Sequence, residues 1–151
     1  MKKQYIAFWL IFVLSMSSAF SQKNSSESIT YKKGFNFYLA NDLGRNGYFR
    51  QKPIAELMGN MADSLDIEFV AAAGDIHHFN GVQSVTDPLW MTNYELIYSH
   101  PSLMIDWFVV LGNHEYRGNT QAVLDYAQIS RRWVMPARYY AQSIVPDADE
   151  V

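Results

Sequence analysis

The side chains best suited to chemistry are concentrated in three short loops, residues 41–44, 74–78 and 112–115. Together these loops carry two aspartates, one glutamate and three of the chain's four histidines, with Asn113 as a further oxygen ligand. The chain has no cysteine, so oxygen and imidazole ligands must hold any metal ion, and these suit iron, zinc, manganese or magnesium. Two such ions about 3.5–4 Å apart can activate water and hold the oxygens of a phosphoryl group. The three loops therefore predict a metal site.

Each of these residues also has an ordinary structural role open to it. An aspartate at a strand end, such as Asp42 or Asp75, often caps the turn or helix that follows. Asn113 and His114 can bond to loop backbone, and His100, which precedes Pro101, is expected to be structural. Three similar loops at even spacing favour one shared site over three separate turns.

The segments around the loops alternate between two hydrophobic patterns. Apolar runs at residues 35–40, 67–73 and 104–111 predict strands, and each run is followed by one of the three loops. Apolar residues spaced by three and four predict helices between them. The helical positions are Ile54, Leu57, Met58, Met61 and Leu65 on one face of a helix opened by Pro53, then Trp90, Tyr94 and Ile97, then Val123, Leu124 and Ala127. After residues 131–133 the pattern turns extended through Tyr140.

The resulting order, β-α-β-α-β-α, predicts an α/β fold with a parallel sheet covered by helices. Asp42, Asp75 and Asn113 lie 33 and 38 residues apart, which leaves room for one crossover in each interval. Because the strands are parallel, all three residues are expected at the carboxyl edge of the sheet, where open α/β sheets bind their ligands.

Residues 1–21 are predicted to be a signal peptide. Lys2 and Lys3 precede ten unbroken apolar residues and then a run of small residues, and ten residues are too few to span a bilayer. An exported protein, periplasmic or secreted, without a stable membrane anchor after leader removal, is the expectation. Residues 22–34 form a polar lead-in. A net charge of −3 gives no basic surface for nucleic acid.

The three loops resemble the pattern of the calcineurin-like metallophosphoesterases, which runs Asp-x-His/Gly, Gly-Asp-x-x and Gly-Asn-His-Asp/Glu. The closer resemblance is to the tartrate-resistant, purple acid phosphatase group. It rests on residues 41–44, 74–82 and 112–115, and it continues through residues 129–133 and the aromatic pair after Pro136. The fold implied is a β-sandwich flanked by helices. Residues 35–151 would supply its N-terminal β-α-β-α-β part, an incomplete domain.

The resemblance also implies roles for individual residues. Asp42 would bind the first metal, Asp75 would bridge both metals, and Asn113 would bind the second. His114 would act beside them as a general acid or as a hydrogen-bond donor to phosphate. Glu115 is similar to an acidic residue that would orient this histidine. The implied cofactor is a dinuclear centre of iron with zinc, manganese or a second iron, and the implied substrate is a phosphate monoester.

His78 marks a departure from the purple enzymes, which place a tyrosinate ligand three residues after the bridging aspartate. Imidazole can still bind a metal, so His78 is predicted as a ligand, with the adjacent His77 as the alternative. Because imidazole is neutral and softer than phenolate, an iron site here is expected to lack the purple charge-transfer band. A divalent pair is then the expected occupant.

A second departure is that no histidine follows His114, whereas the family takes three more from later strands. Two functions therefore stay open. The first is a metal-dependent phosphomonoesterase of the acid phosphatase type, in which a metal-activated hydroxide attacks phosphorus in line. The second is a truncated, non-catalytic exported domain that binds metal or phosphate, since Asp42, Asp75, His78 and Asn113 are too few to close two metal shells. Neither the natural substrate nor the oligomeric state follows from the sequence.

Overall fold

The computed structural model describes residues 34–145. The predicted signal peptide, and all of the predicted lead-in except residue 34, lie outside this range. The strands are β1 (Asn36–Ala40), β2 (Ile67–Ala72), β3 (Asp106–Val109) and β4 (Trp133–Val134), and the α-helices are α1 (Gln51–Ala62) and α2 (Thr120–Asp125). A π-helix (Trp90–Glu95) and three 3₁₀ turns (Pro101–Leu103, Glu115–Arg117 and Tyr126–Gln128) complete the elements.

The four strands form one parallel sheet in the order β1-β2-β3-β4. Ala40 pairs with Ala72 and Ala72 with Val109, so the first three strands end at the same level. The predicted α/β class and parallel sheet are confirmed. The third and fourth strands are shorter than expected: β3 covers four residues, and the extended stretch near Tyr140 is not a strand.

One face of the sheet carries the hydrophobic core. Val70, Ala72, Trp107 and Val109 point to this face and are buried. Aromatic rings from the crossover segments pack on it: Tyr94 meets Trp107 edge-on at 5.1 Å between centroids. Each large apolar side chain buried in this way stabilises the fold by about 1.5–3 kcal/mol.

The opposite face of the sheet is only partly covered by the described residues. Phe37 stacks on Phe69 at 4.7 Å, and Phe69 meets Phe108 edge-on at 5.2 Å, yet Phe37 is 48% and Leu39 73% exposed. Strand order follows chain order, and crossovers between parallel strands are right-handed. That topology places successive crossovers on the same side of the sheet.

Helix α1 packs through its small residues, contrary to the expectation from its apolar spacing. The buried positions are Gln51, Ala55, Gly59 and Ala62. The apolar residues Ile54, Leu57 and Met61 are exposed by 50%, 57% and 37%. The helix lies so close to the segment at His100 that only small side chains fit between them, as Gly59 shows below. Within residues 34–145, no helix combines the length and apolar character needed to cross a bilayer.

Candidate metal centre

The three loops meet at the carboxyl edge of the sheet. The N–H of Asp42 donates to the carbonyl of Gly74, at 3.2 Å, and joins the first loop to the second. The N–H of His114 donates to Oδ1 of Asp75, at 2.9 Å, and joins the third loop to the second. Asp42 and Asp75 both have left-handed backbone, with φ of 55° and 56°, a conformation that aspartate adopts more readily than most residues.

Three of the predicted residues offer ligand atoms that converge on one point. One such atom from each of Asp75, His78 and His114 lies within 4.8 Å of the other two. A fourth predicted residue is adjacent, because Oδ1 of Asp42 lies 3.5 Å from Nε2 of His78. Two carboxylates and two imidazoles thus share this edge.

The ring of His78 is prepared to act as a ligand. Its Nδ1 lies 2.9 Å from the carbonyl of Gly44, so Nδ1 must carry the proton that it donates. The lone pair is then on Nε2, which is buried and has no hydrogen-bond partner among residues 34–145. Burial lowers the pKa of His78, and the charges of Arg45 and His114 lower it further. A neutral imidazole with an unpartnered nitrogen facing a carboxylate fits a metal ion.

The neighbouring His77 points the other way. It is fully buried, and its ring meets Trp90 edge-on at 4.3 Å between centroids. Burial lowers the pKa of His77 to about 3, so the ring is neutral at physiological pH. Of the two adjacent histidines left open by the sequence, His78 is the one that the structure brings to the cluster.

His114 is oriented by the second loop. Its Nδ1 lies 2.6 Å from the carbonyl of Phe79 and so donates to it, which leaves the lone pair on Nε2. The same carbonyl accepts a longer bond from Nη1 of Arg117, at 3.4 Å. His114 and His78 stand side by side, with ring centroids 4.0 Å apart.

Two further predicted ligands, Asp42 and Asn113, lie at the surface. Both residues are exposed. Oδ2 of Asp42 accepts a bond from the amide of Asn41, at 2.7 Å, and Oδ1 faces His78. Asn113 lies between Gly112 and His114 in the third loop, on the exposed side of the chain.

Glu115 is buried beneath the loops, and its carboxylate accepts four backbone N–H bonds. Oε2 accepts from Asp75 and Gly112, and Oε1 accepts from Ile76 and His77, at 2.8–2.9 Å. The third loop approaches the second so closely that a Cβ at Gly112 would collide with the Asp75 carboxylate. Among the described residues, the hydrogen bonds of this carboxylate go to the backbone and not to the imidazole that Glu115 was expected to orient.

Arg45 is a residue of the site that the sequence analysis missed. Its guanidinium lies 5.2 Å from the ring centroid of Phe79 and 5.8 Å from that of Phe49. After burial, the charge of Arg45 is the next cause that lowers the pKa of His78. The only signal in the sequence was a basic residue directly after the first loop, which is too common a feature to be diagnostic.

The chain is similar in sequence to known phosphoesterases and acid phosphatases. The sequence profile described as "Calcineurin-like phosphoesterase" matches residues 35–147. Purple acid phosphatase 7 of Arabidopsis thaliana is 41% identical over 97 residues, which are 64% of this chain and 30% of that protein. Tartrate-resistant acid phosphatase type 5 of Homo sapiens is 33% identical over 92 residues, 60% of this chain and 28% of that protein.

A solved structure is also similar. The protein titled "GAP50 the anchor in the inner membrane complex of Plasmodium" superposes with a TM-score of 0.64 and 26% sequence identity. The match covers 70% of this chain and 35% of that one. The chain therefore spans about a third of the length of the relatives that it matches.

Proposed function

The chain belongs to the calcineurin-like phosphoesterase family, and on that premise we propose that it is part of a metal-dependent phosphomonoester hydrolase of the acid phosphatase type. The observation that carries the proposal is the cluster of Asp75, His78 and His114, with Asp42 beside it, at the carboxyl edge of a parallel sheet. The purple and tartrate-resistant acid phosphatases among the relatives support the substrate class.

In this proposal Asp42, Asp75, His78 and Asn113 hold a dinuclear centre of iron with zinc, manganese or a second iron. When bound, the ions supply Lewis-acid polarisation of the phosphoryl oxygens and lower the pKa of water. Asp75 would supply the bridging carboxylate. Its Oδ1 is already oriented by the N–H of His114, so the side chain needs little further ordering to bind.

The protein's own groups then bind the substrate and handle its protons. We assign to His114 the contact with the phosphate or the leaving group, since Nδ1–H is engaged by Phe79 and Nε2 is left to exchange a proton. Arg45 and Arg117 flank the histidines with positive charge, which complements a phosphate dianion. Glu115 supports the loops from beneath.

The second candidate is a non-catalytic exported domain that binds metal or phosphate. It is favoured by the ligand count: within residues 34–145 the converging acidic and imidazole ligands form one group of three, with Asp42 adjacent. Two complete metal shells need more ligands than these.

One substitution separates the two candidates. Asp75→Asn keeps the size of the side chain and suits the left-handed backbone, but it removes the charge that would bridge the ions. Loss of a residue that only contacts a metal ligand lowers metal affinity by about 10–100-fold. Because Asp75 is a proposed ligand itself, we expect Asp75→Asn to lower metal affinity by more than this, with little change in thermal stability. Calorimetric titration with Zn²⁺ or Mn²⁺ measures the affinity, and p-nitrophenyl phosphate turnover with iron, zinc or manganese measures activity.

Asp66→Asn is the matched control, because Asp66 is exposed and also has left-handed backbone, with φ of 53°. It should bind metal as the unsubstituted chain does. Turnover that Asp75→Asn leaves intact would rule out a hydrolase that works through this metal site. Metal binding without turnover, including in a chain extended to the length of the relatives, would favour the non-catalytic domain.

Export through a leader at residues 1–21 belongs to the same proposal. The expected result is a periplasmic or secreted protein whose N-terminus, read by mass spectrometry, begins after the small residues near position 21. A cell-associated protein that retains Lys2 and Lys3 would contradict it.

A further inference from the structure

The carboxylate of Glu115 ties two loops together through their backbones. Three of its four N–H partners are consecutive residues, Asp75, Ile76 and His77, and the fourth is Gly112. The side chain is 1% exposed. Bonds from N–H groups to an ionised acceptor are about twice as strong as neutral ones, and a buried carboxylate depends on them.

The three consecutive N–H groups point to one oxygen pair because of the backbone at Asp75. A residue with left-handed φ turns the successive N–H groups toward a common centre and makes a concave binding site for an anion. Asp75 has φ of 56°, and the anion bound in its concavity is the carboxylate of Glu115. The left-handed conformation and the carboxylate therefore stabilise each other.

A second carboxylate crosses between the loops in the opposite direction. Oδ1 of Asp75 accepts the N–H of His114, at 2.9 Å. Glu115 of the third loop thus holds the backbone of the second, while Asp75 of the second loop holds the backbone of the third. This reciprocal pair sets the direction of the Asp75 carboxylate relative to the backbone of the third loop.

We propose that Glu115 is a positioning residue for the metal centre, and that it acts through the backbone of residues 75–77 and not through the ring of His114. The inference rests on the proposed function, because it concerns the residues assigned to hold the ions. Glu115→Gln keeps the size of the side chain but replaces one acceptor oxygen with an NH₂ group that faces two N–H donors. The Asp75 loop is then free to leave its left-handed turn.

The test is Zn²⁺ affinity of the full chain, measured by calorimetry together with thermal unfolding of the metal-free protein. We expect Glu115→Gln to weaken affinity by about 10–100-fold, and Glu115→Asp, which keeps both oxygens, to weaken it less. Glu95→Gln is the matched control: Glu95 pairs with Arg132 at 2.9 Å and with the Tyr126 hydroxyl at 3.0 Å, away from the loops. It should lower stability and leave affinity within about threefold.

A double-substitution cycle separates the backbone route from the imidazole route. If Glu115 acts through residues 75–77, Glu115→Gln weakens Zn²⁺ binding by the same factor in the His114→Ala chain as in the unsubstituted one. If Glu115→Gln no longer weakens Zn²⁺ binding in the His114→Ala chain, the proposal would be overturned. Glu115 would then act by orienting the imidazole of His114.

Further results of the same affinity measurements also test the proposal. Equal losses of affinity in Glu115→Gln and Glu95→Gln would reduce the effect to general destabilisation and overturn the proposal. If Glu115→Gln does not fold, Glu115→Asp carries the test, and unchanged Zn²⁺ affinity in that variant would overturn the proposal. An unsubstituted chain that binds no metal would overturn the proposed function and this inference together, whereas binding that Glu115→Gln leaves intact would overturn the inference alone.

Discussion

The imidazole of His78 is held in one tautomer by a main-chain carbonyl, and this decides what kind of ligand it can be. Because Gly44 accepts the Nδ1 proton, Nε2 offers a neutral lone pair to the site. Burial lowers the pKa of His78, so this nitrogen binds a proton less readily than the nitrogen of an ordinary imidazole does. A neutral nitrogen donor does not supply the phenolate charge transfer that colours the purple enzymes.

The colour of the iron-loaded protein tests this ligand. We expect no strong visible band from the unsubstituted chain and a new band from His78→Tyr, because that substitution supplies a phenolate at the position that the purple enzymes use. Visible absorption of the iron-loaded proteins is the measurement. Phe79→Tyr is the control, since it adds a phenol at the next position, on a side chain that is 62% exposed. A strong band in the unsubstituted chain would contradict the assignment.

Several site residues were predictable from the sequence because each follows an apolar run that ends at a turn. Asp42, Asp75 and the third loop could be placed at one edge from the apolar runs before them, and the structure brings those loops together. The partners of Glu115 were not predictable. They depend on the direction of the N–H groups at residues 75–77, and that direction comes from a left-handed φ that aspartate allows but does not require.

Helix α1 shows how close packing can outweigh apolar spacing. Gly59 lies against His100, and a Cβ at that position would collide with Cβ and Cγ of the histidine. His100 in turn accepts the N–H of Ser102 through Nδ1, at 3.2 Å, and so is fixed at the start of a 3₁₀ turn.

Replacement of Gly59 by alanine should therefore lower the free energy of unfolding, whereas the same replacement inside a helix usually raises it. Glycine to alanine in a helix normally stabilises by about 0.5–1 kcal/mol. Here we expect a loss of about 1–3 kcal/mol in the free energy of unfolding, measured in urea, because the extra methyl overpacks the contact with His100. Asn60→Ala, on the exposed neighbour in the same helix, should be neutral or slightly stabilising. A stabilised Gly59→Ala protein would disprove the close contact.

The buried face of α1 was the part of the fold that the sequence least revealed. Helical spacing of Ile54, Leu57 and Met61 correctly predicted a helix, but spacing alone does not say which face meets the sheet. The close contact between Gly59 and His100 favours the face that is buried, and it joins two segments that are far apart in the sequence. Strands β1 and β2 were predictable because each is a mostly apolar run that ends at a turn, which is typical of strands in a parallel sheet.

At the scale of the whole molecule, the core is unusually rich in tyrosine. Tyr94, Tyr98 and Tyr126 are all buried against the sheet face that carries Trp107. Burial raises the pKa of Tyr98 to about 12 and raises the pKa of the other two as well. The folded state therefore holds these protons more tightly than the unfolded chain does.

This burial predicts loss of stability in alkali. A phenol whose pKa rises on folding contributes its full stability below pH 10, and that contribution is lost between pH 10 and about 12. Between these pH values, each such tyrosine makes the free energy of unfolding fall by about 1.4 kcal/mol per pH unit. Tyr98→Phe should be less stable at pH 7 by about 1 kcal/mol, since the bond to the Leu43 carbonyl is lost, yet it should lose stability less steeply above pH 10.

Urea unfolding at a series of pH values from 8 to 11 measures the slope. Tyr139→Phe is the control, because Tyr139 is 89% exposed and should change neither the stability at pH 7 nor the alkaline slope. Equal slopes for Tyr98→Phe and the unsubstituted chain would contradict the prediction.

The hydrogen bonds that join the second and third loops also bear on the order of folding. The bonds from residues 75–77 to Glu115 span 38–40 positions of the chain, so none of them belongs to a local turn. Contacts of such separation form only after the entropy of closing the intervening segment has been lost. The proposed ligands of the second and third loops are therefore expected to come together only after β2 and β3 have paired, because until then the loop that follows β2 lacks its bonds to Glu115.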